Sequence, residues 1–145
     1  MIHGDVPFIG SSDSNNGVTN FVANINGSLD KNLLGVNYNG SVVNNFYHPY
    51  KCLFSDDVKR LHLNDWHDNK FVLLYLSTII LQQKNKYSYG YKFNTDRMKR
   101  QKILLPVNEL NEPDYDYMEQ YSKSIILKKY FDYLYYINKN KNLES

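Results

Sequence analysis

Catalytic chemistry would have to be built from titratable and nucleophilic side chains, and their spacing here does not support it. The four histidines, His3, His48, His62 and His67, lack the spacing of a metal site. The densest stretch, HLNDWHD (62–68), is the best metal candidate but is better read as a polar loop running into a helix. Cys52 is the only cysteine, which excludes a disulfide framework and a thiolate cluster. There is no glycine-rich phosphate loop, no G-x-S-x-G elbow and no H-E-x-x-H. What the chain carries in quantity is neutral hydrogen-bonding chemistry. It has 14 tyrosines, and each joins a large apolar ring to a hydroxyl. With asparagine and serine they suit contact rather than catalysis. A codon bias toward Asn, Lys, Tyr and Ile accounts for the totals but not for their clustering.

Three segments hold the clusters: SSDSNNGVTN (11–20), NYNGSVVNNFYHPYK (37–51) and KYSYGYKFNTDR (86–97). Singly, each reads as a surface turn. The third, if extended, puts Tyr87, Tyr89 and Tyr91 on one face and Lys86, Ser88, Gly90 and Lys92 on the other. The helix start at Asn94-Thr95 would then offer backbone N–H groups to an anion, with Arg97 and Arg100 nearby.

Charge points the same way. The formal net charge is only +2, but residues 84–102 hold seven basic side chains (Lys84, Lys86, Lys92, Arg97, Lys99, Arg100, Lys102) against Asp96 alone. Residues 103–122 hold five acidic ones and no Lys or Arg. A basic stretch beside an acidic one implies an anionic partner, or else two solvated faces that neutralise each other. Nucleic acid is an anion that also offers donors and acceptors. Lys and Arg bind its phosphates, while Asn, Ser, Thr, Tyr and His on loops can read base edges.

The elements that must position these segments follow from periodicity. At 145 residues one domain with one core is expected. VPFIG (6–10), GVTNFV (17–22), LLGVNYN (33–39) and SVVNNFY (41–47) read as short strands, separated by Asn16-Gly17, Asn26-Gly27, Asn39-Gly40 and His48-Pro49. DVKRLHL (57–63) reads as an edge or half-buried strand. DNKFVLLYLSTIILQQKNK (68–86) is too long for a strand, so it reads as a helix capped by Asp68, apolar nearly all round and therefore central. A basic helix over 95–101 is capped by Asn94 or Thr95, and KILLP (102–106) reads as a strand. A long last helix opens at Pro113, with Asp114, Asp116 and Glu119 complementing its dipole. Its apolar stripe is Met118, Tyr121, Ile125, Leu127, Phe131, Leu134 and Ile137. The fold class is thus α+β: a curved, mostly antiparallel β-sheet with packed helices and a long C-terminal helix. The longest apolar run is too short to cross a bilayer, and with no signal peptide the cytoplasm is the expected compartment.

The ordered set VPFIGSSDSNNGVTNFV, NGSVVNNFYHPYKCLFSDDVKRL, KYSYGYKFNTDRMKRQKILLPV and NEPDYDYMEQY resembles a target recognition domain of restriction–modification specificity proteins. These are the DNA specificity subunits of type I systems and the related modules of type IIB and IIG enzymes. The resemblance implies loops that enter the major groove of double-stranded DNA and read half of a bipartite site. It implies no catalytic residue, no metal and no cofactor of the chain's own. Methyl transfer and cleavage would belong to methyltransferase and restriction subunits, which bind S-adenosylmethionine or ATP. Carried over by position, the DNA-facing residues are Ser12, Asn15, Asn16 and Thr19 in the first segment and Ser41, Tyr47 and His48 in the second. Tyr89, Tyr91, Lys92, Asn94 and Arg97 come from the third.

On this reading residues 1–112 form the recognition domain and 113–145 the C-terminal helix and charged tail. Two departures stand out. Relatives carry a strand and turn before PFIG, where only residues 1–5 precede it here. They also usually carry two recognition domains, so this chain is either a half that pairs through its last helix, as a homodimer or with a second recognition domain, or a truncation. The alternative function is a truncated half-subunit acting mainly as a protein assembly module.

Overall fold

The computed structural model describes residues 2–64, 66–87 and 90–141. Six strands come first: β1 (His3–Ile9), β2 (Val18–Val22), β3 (Leu33–Asn37), β4 (Asn45–His48), β5 (Leu53–Phe54) and β6 (Val58–Leu61). Three helices follow, α1 (Lys70–Leu81), α2 (Thr95–Arg100) and α3 (Tyr115–Lys141), so the α+β class is borne out.

The strands divide into two three-stranded sheets, ordered β2-β1-β5 and β4-β3-β6. β1 pairs antiparallel with β2 and parallel with β5, while β3 is antiparallel to both neighbours. β1 begins at His3, three residues before PFIG's expected strand, and lies in the middle of its sheet. β1 is therefore not an edge strand. β5, only two residues long, is too short to give a period and was not expected from sequence.

β3 organises the interior because every one of its residues is buried. Successive side chains of a strand leave opposite faces. Leu34 and Val36 pack with Val42, Val43, Leu73, Ile80 and Phe93, under α1. Leu33 packs the other way, with Ile9, Cys52, Phe54 and Val58. Asn37 has the parity of Leu33, which places it on the side of the first sheet.

The helices depart from expectation in three places. α1 is capped by Asn69, whose side chain accepts from the N–H groups of Phe71 and Val72 at 2.8 and 3.4 Å. The expected cap, Asp68, is engaged instead by Leu63 N–H and His62. α1 is also not central. It lies between the second sheet and α3, with Val72, Leu73 and Ile80 buried and the rest half-buried or exposed. Residues 102–106 form no strand, since no sheet edge runs beside them, and Leu104 is 92% exposed.

α3 opens where Asp114 Oδ1 accepts from Tyr117 N–H at 2.8 Å. Met118 and Ser122 are buried against the domain, and Tyr121 meets Tyr75 edge-on. Further along, Ile125, Ile126, Leu127 and Phe131 are exposed, so the stripe outruns the surface that covers it. No helix among the described residues is long and apolar enough to cross a membrane.

Candidate nucleic-acid interface

The first polar segment is shaped by backbone before any side chain contributes. Asn15, Asn16 and Gly17 all lie in the left-handed region, at φ 50°, 55° and 72°. Asparagine and glycine tolerate that region best, which is why this turn is written Asn-Asn-Gly. Gly17 N–H closes it on Ser14 O at 2.9 Å, and Gly10 N–H bonds Gly17 O at 2.9 Å. The turn lifts Asn15 and Asn16 into solvent. Ser12 is half-buried, its hydroxyl accepting from Ser14 N–H at 3.2 Å. Thr19 is exposed on β2 and donates to Phe8 O at 3.3 Å.

The second segment is fastened to the first. Asn37, 1% exposed, donates from Nδ2 to Ser12 O at 2.8 Å. Ser11 donates its hydroxyl to Asn39 O. Gly40 sits at φ 68°, and a Cβ there would meet Ser11 Oγ at 2.9 Å, so only glycine lets the two loops close. Asn39 in turn donates to Asp57 Oδ1 at 2.9 Å. Val43 takes φ 69° with its side chain fully buried, a costly backbone for a β-branched residue that the surrounding core enforces. This loop explains why β4 starts at Asn45 rather than at Ser41. Ser41 is half-buried within it, its carbonyl accepting from Asn44 N–H at 3.2 Å.

Two expected contact residues of this segment serve the scaffold. Tyr47 is half-buried and donates its hydroxyl to Asn32 Oδ1 at 2.6 Å; burial and Asp68 push its pKa up, so it remains a donor. His48 is 0% exposed, wedged edge-on against Tyr50 and Phe54. Burial lowers its pKa to about 4, and neither ring nitrogen has a hydrogen-bond partner among the described residues. His48 thus cannot face a ligand in this fold. Gly35, diagonal to it on β3, leaves the room for its ring: a Cβ at Gly35 would meet His48 Nε2 at 3.0 Å.

The third segment joins the second through the core, where Phe93 packs with Val42 and Val43. Lys84 Nζ also donates to Asn44 Oδ1 at 2.9 Å. Tyr87 stacks on Tyr91 with ring centroids 5.9 Å apart and planes at 13°, so these two do share a face. Tyr89 and Ser88 lie outside the described residues. The Arg97 guanidinium lies 3.6 Å from the Tyr91 ring centre and donates to Lys92 O at 2.7 Å. Asn94 Oδ1 accepts from Arg97 N–H at 3.0 Å, and Asn94 O accepts from Met98 N–H at 2.8 Å. The N–H groups of Arg97 and Met98 are therefore already satisfied within the cap of α2.

Three segments distant in sequence thus form one connected edge. Sequence reasoning missed the residues that connect it: Ser11, Asn37, Asn39 and Lys84. Asn37 carried one signal, a polar residue closing the apolar run LLGV, but its partner lies 25 residues away.

Away from this edge, His62 is held between Asp68 Oδ2 at 2.5 Å and Asp30 Oδ2 at 3.2 Å, and Arg60 reaches Asp30 at 3.3 Å. The hydrogen bond to Asp68 raises the His62 pKa against the opposing effect of burial. Among the described residues no group of His, Cys, Asp and Glu could hold a metal ion. Burial and then Asp30 push the Cys52 thiol up to about 12, leaving it unreactive.

The result is an α+β domain whose polar and basic segments are joined through Asn37, Ser11, Phe93 and Lys84, with the long helix α3 packed on α1. Residues 3–131 match the type I restriction modification DNA specificity domain, and the chain belongs to that family. It is 64% identical over 121 residues, 83% of its length, to the "Type II restriction enzyme BgcI specificity subunit S.BcgI" of Heyndrickxia coagulans. The match spans 36% of that relative, so the chain corresponds to about a third of it. No solved structure gives a match. Specificity domains of this family are non-catalytic.

Proposed function

We propose that this chain is a sequence-specific DNA-binding target recognition domain that reads one half of a bipartite site through major-groove loops. The observation that carries it is the fastening of residues 11–17 to residues 37–41 by Asn37 and Ser11. Recognition needs donors and acceptors held in fixed register, and a buried amide tying two neutral loops together supplies that register. Asn15, Asn16 and Thr19 are the exposed members of this rim; Tyr91, Lys92 and Arg97 belong to the adjoining basic segment. The partners are double-stranded DNA and methyltransferase and restriction subunits, in the cytoplasm.

The assembly reading rests on α3. Ile125, Ile126, Leu127, Tyr130 and Phe131 are exposed along it, which favours pairing with a second recognition domain or a second copy of the chain. One experiment separates the readings. Residues 11–20 are exchanged for those of a relative with a different target, and the methylated sequence is mapped in cells supplying a methyltransferase subunit. A changed half-site supports DNA reading. An unchanged methylome, with the chain still co-purifying with the methyltransferase, rejects it in favour of assembly.

A further inference from the structure

A concavity lies in the basic segment that adjoins the second loop. It is an open cavity of about 430 Å³ lined by Lys86, Arg97, Arg100 and Lys102, with Tyr87 and Tyr91 as its aromatic wall. We infer that this cavity seats the sugar–phosphate backbone of the DNA and carries the sequence-independent part of binding, while the neutral loops carry the reading. The inference rests on the DNA-binding function proposed above and assigns a separate role within it.

Charge supplies the first argument. Residues 11–20 and 37–44 contain no Lys or Arg, and Asp13 is their one formal charge. Most of the affinity for duplex DNA comes from neutralising phosphates. The rim cannot provide that, so cations elsewhere on the same edge must. Among the described residues none of the four lining cations is in an ion pair with a carboxylate. Lys86 Nζ donates to the neutral Gln83 Oε1 at 2.6 Å, and Arg100 Nε donates to Asp96 O at 3.2 Å. Asp96, the one acid of α2, makes no ion pair with any of them among the described residues.

Shape supplies the second. Base edges lie at the floor of a groove roughly 8.5 Å deep, so only a convex element reaches them. The turn at Asn15 and Asn16 is convex. A concave basic surface meets what protrudes from a duplex, and that is the phosphate ridge. Arg97 fits the same role. Its guanidinium sits 3.6 Å over the Tyr91 ring centre and is tied to Lys92 O, which limits the reach that a bidentate contact to guanine requires and leaves a held positive charge. Lys86, Arg100 and Lys102 are exposed around it as cations suited to phosphate. The Lys84–Asn44 bond and the packing of Phe93 on Val42 and Val43 hold the cavity beside the second loop, so reading and holding act on one duplex.

The test compares the wild-type chain with Lys86→Gln/Arg100→Gln/Lys102→Gln, on target and non-target duplexes across a salt series. These residues are exposed, and thermal melting checks that the variant folds. The expected result is a fall in affinity by the same factor on both duplexes, with the slope of log K against log salt reduced by about 2 to 3. Unchanged slope and affinity in a variant whose parent binds its target would overturn the inference and leave the DNA-reading function standing. Lost discrimination at unchanged slope would also overturn it, because the cavity would then be reading bases. Saturable binding of inorganic phosphate without DNA, lost in the variant, would make this a free-anion site instead. If the wild-type chain binds no duplex at low salt, the proposed function itself fails and this assignment with it. Should the triple variant not fold, Lys102→Gln alone must lower the slope by about 1, and an unchanged slope refutes the assignment.

Discussion

Asn37→Asp changes one atom type at the point where the two neutral loops are joined. The amide Nδ2 sits 2.8 Å from Ser12 O in a residue 1% exposed. An ionised carboxylate in its place would aim an acceptor at an acceptor. To restore the bond the new side chain must protonate, and burial favours that form. Leaving a buried acceptor unpartnered costs about 1–3 kcal/mol, and a buried charge costs more. A loss of about 3 kcal/mol at pH 7.5 is therefore expected. For a chain of this size that lowers Tm by roughly 10 °C.

The sign with pH follows from linkage. The introduced Asp has a folded pKa above its unfolded value of about 3.9, so between the two the folded state binds more protons. Stability of the variant must fall as pH rises through that window and recover as pH drops toward 5. Thermal denaturation of both chains from pH 5 to 8 gives the difference curve. A variant as stable as wild type at pH 7.5 would refute the fastening. A loss that does not vary with pH would refute the donor role of the amide, because mere misfit has no proton linkage.

The two partnered or buried histidines give opposite pH limbs. His48, ordinarily at 6.5 and lowered to about 4, contributes stability that is complete above 6.5 and lost as pH falls toward about 4, some ~3 kcal/mol in all. His48→Leu should abolish that acid limb in denaturant titrations, and a retained limb would assign it elsewhere. His62, raised by its hydrogen bond to Asp68 against burial and helped by Asp30, contributes stability that is present below 6.5 and lost as pH rises through its raised value. His62→Gln should flatten the curve on that alkaline side only. Gly35→Ala should cost about 1–3 kcal/mol by overpacking, since the added Cβ would meet His48 Nε2 at 3.0 Å and Phe54 Cε1 at 3.1 Å. A denaturant midpoint unchanged from wild type would contradict the packing described.

Local chemistry was legible in this sequence, and partnership across the fold was not. Asn94 capping α2 follows from a side chain and an N–H three residues on, so the sequence suffices. The cap of α1 slipped by one residue because Asp68 and Asn69 are equally able, and His62, just past the end of β6, claims Asp68. KILLP has strand composition, yet a strand exists only beside a partner, and no window of sequence shows that edge. His48 follows a strand and precedes proline, which reads as turn chemistry. Its burial is decided by the missing side chain of Gly35 on the neighbouring strand.

The same distinction divides the candidate contact residues into those that carry the scaffold and those that do not. Tyr47, His48 and Asn94 are committed to Asn32, the core and the α2 cap, so changing them would disturb the fold before it altered any contact. Asn16 bonds Tyr50 and is only partly released. Asn15 has no side-chain hydrogen bond among the described residues, and its backbone is held by a turn that Asn37 and Gly17 maintain from either side. Its left-handed φ of 50° still restricts replacements, favouring Asp, Gly and His over β-branched residues. On the function proposed above, a module that changes its target without losing its fold needs positions of this kind. The best place to look for them is where the backbone is most tightly fixed and the side chain least engaged.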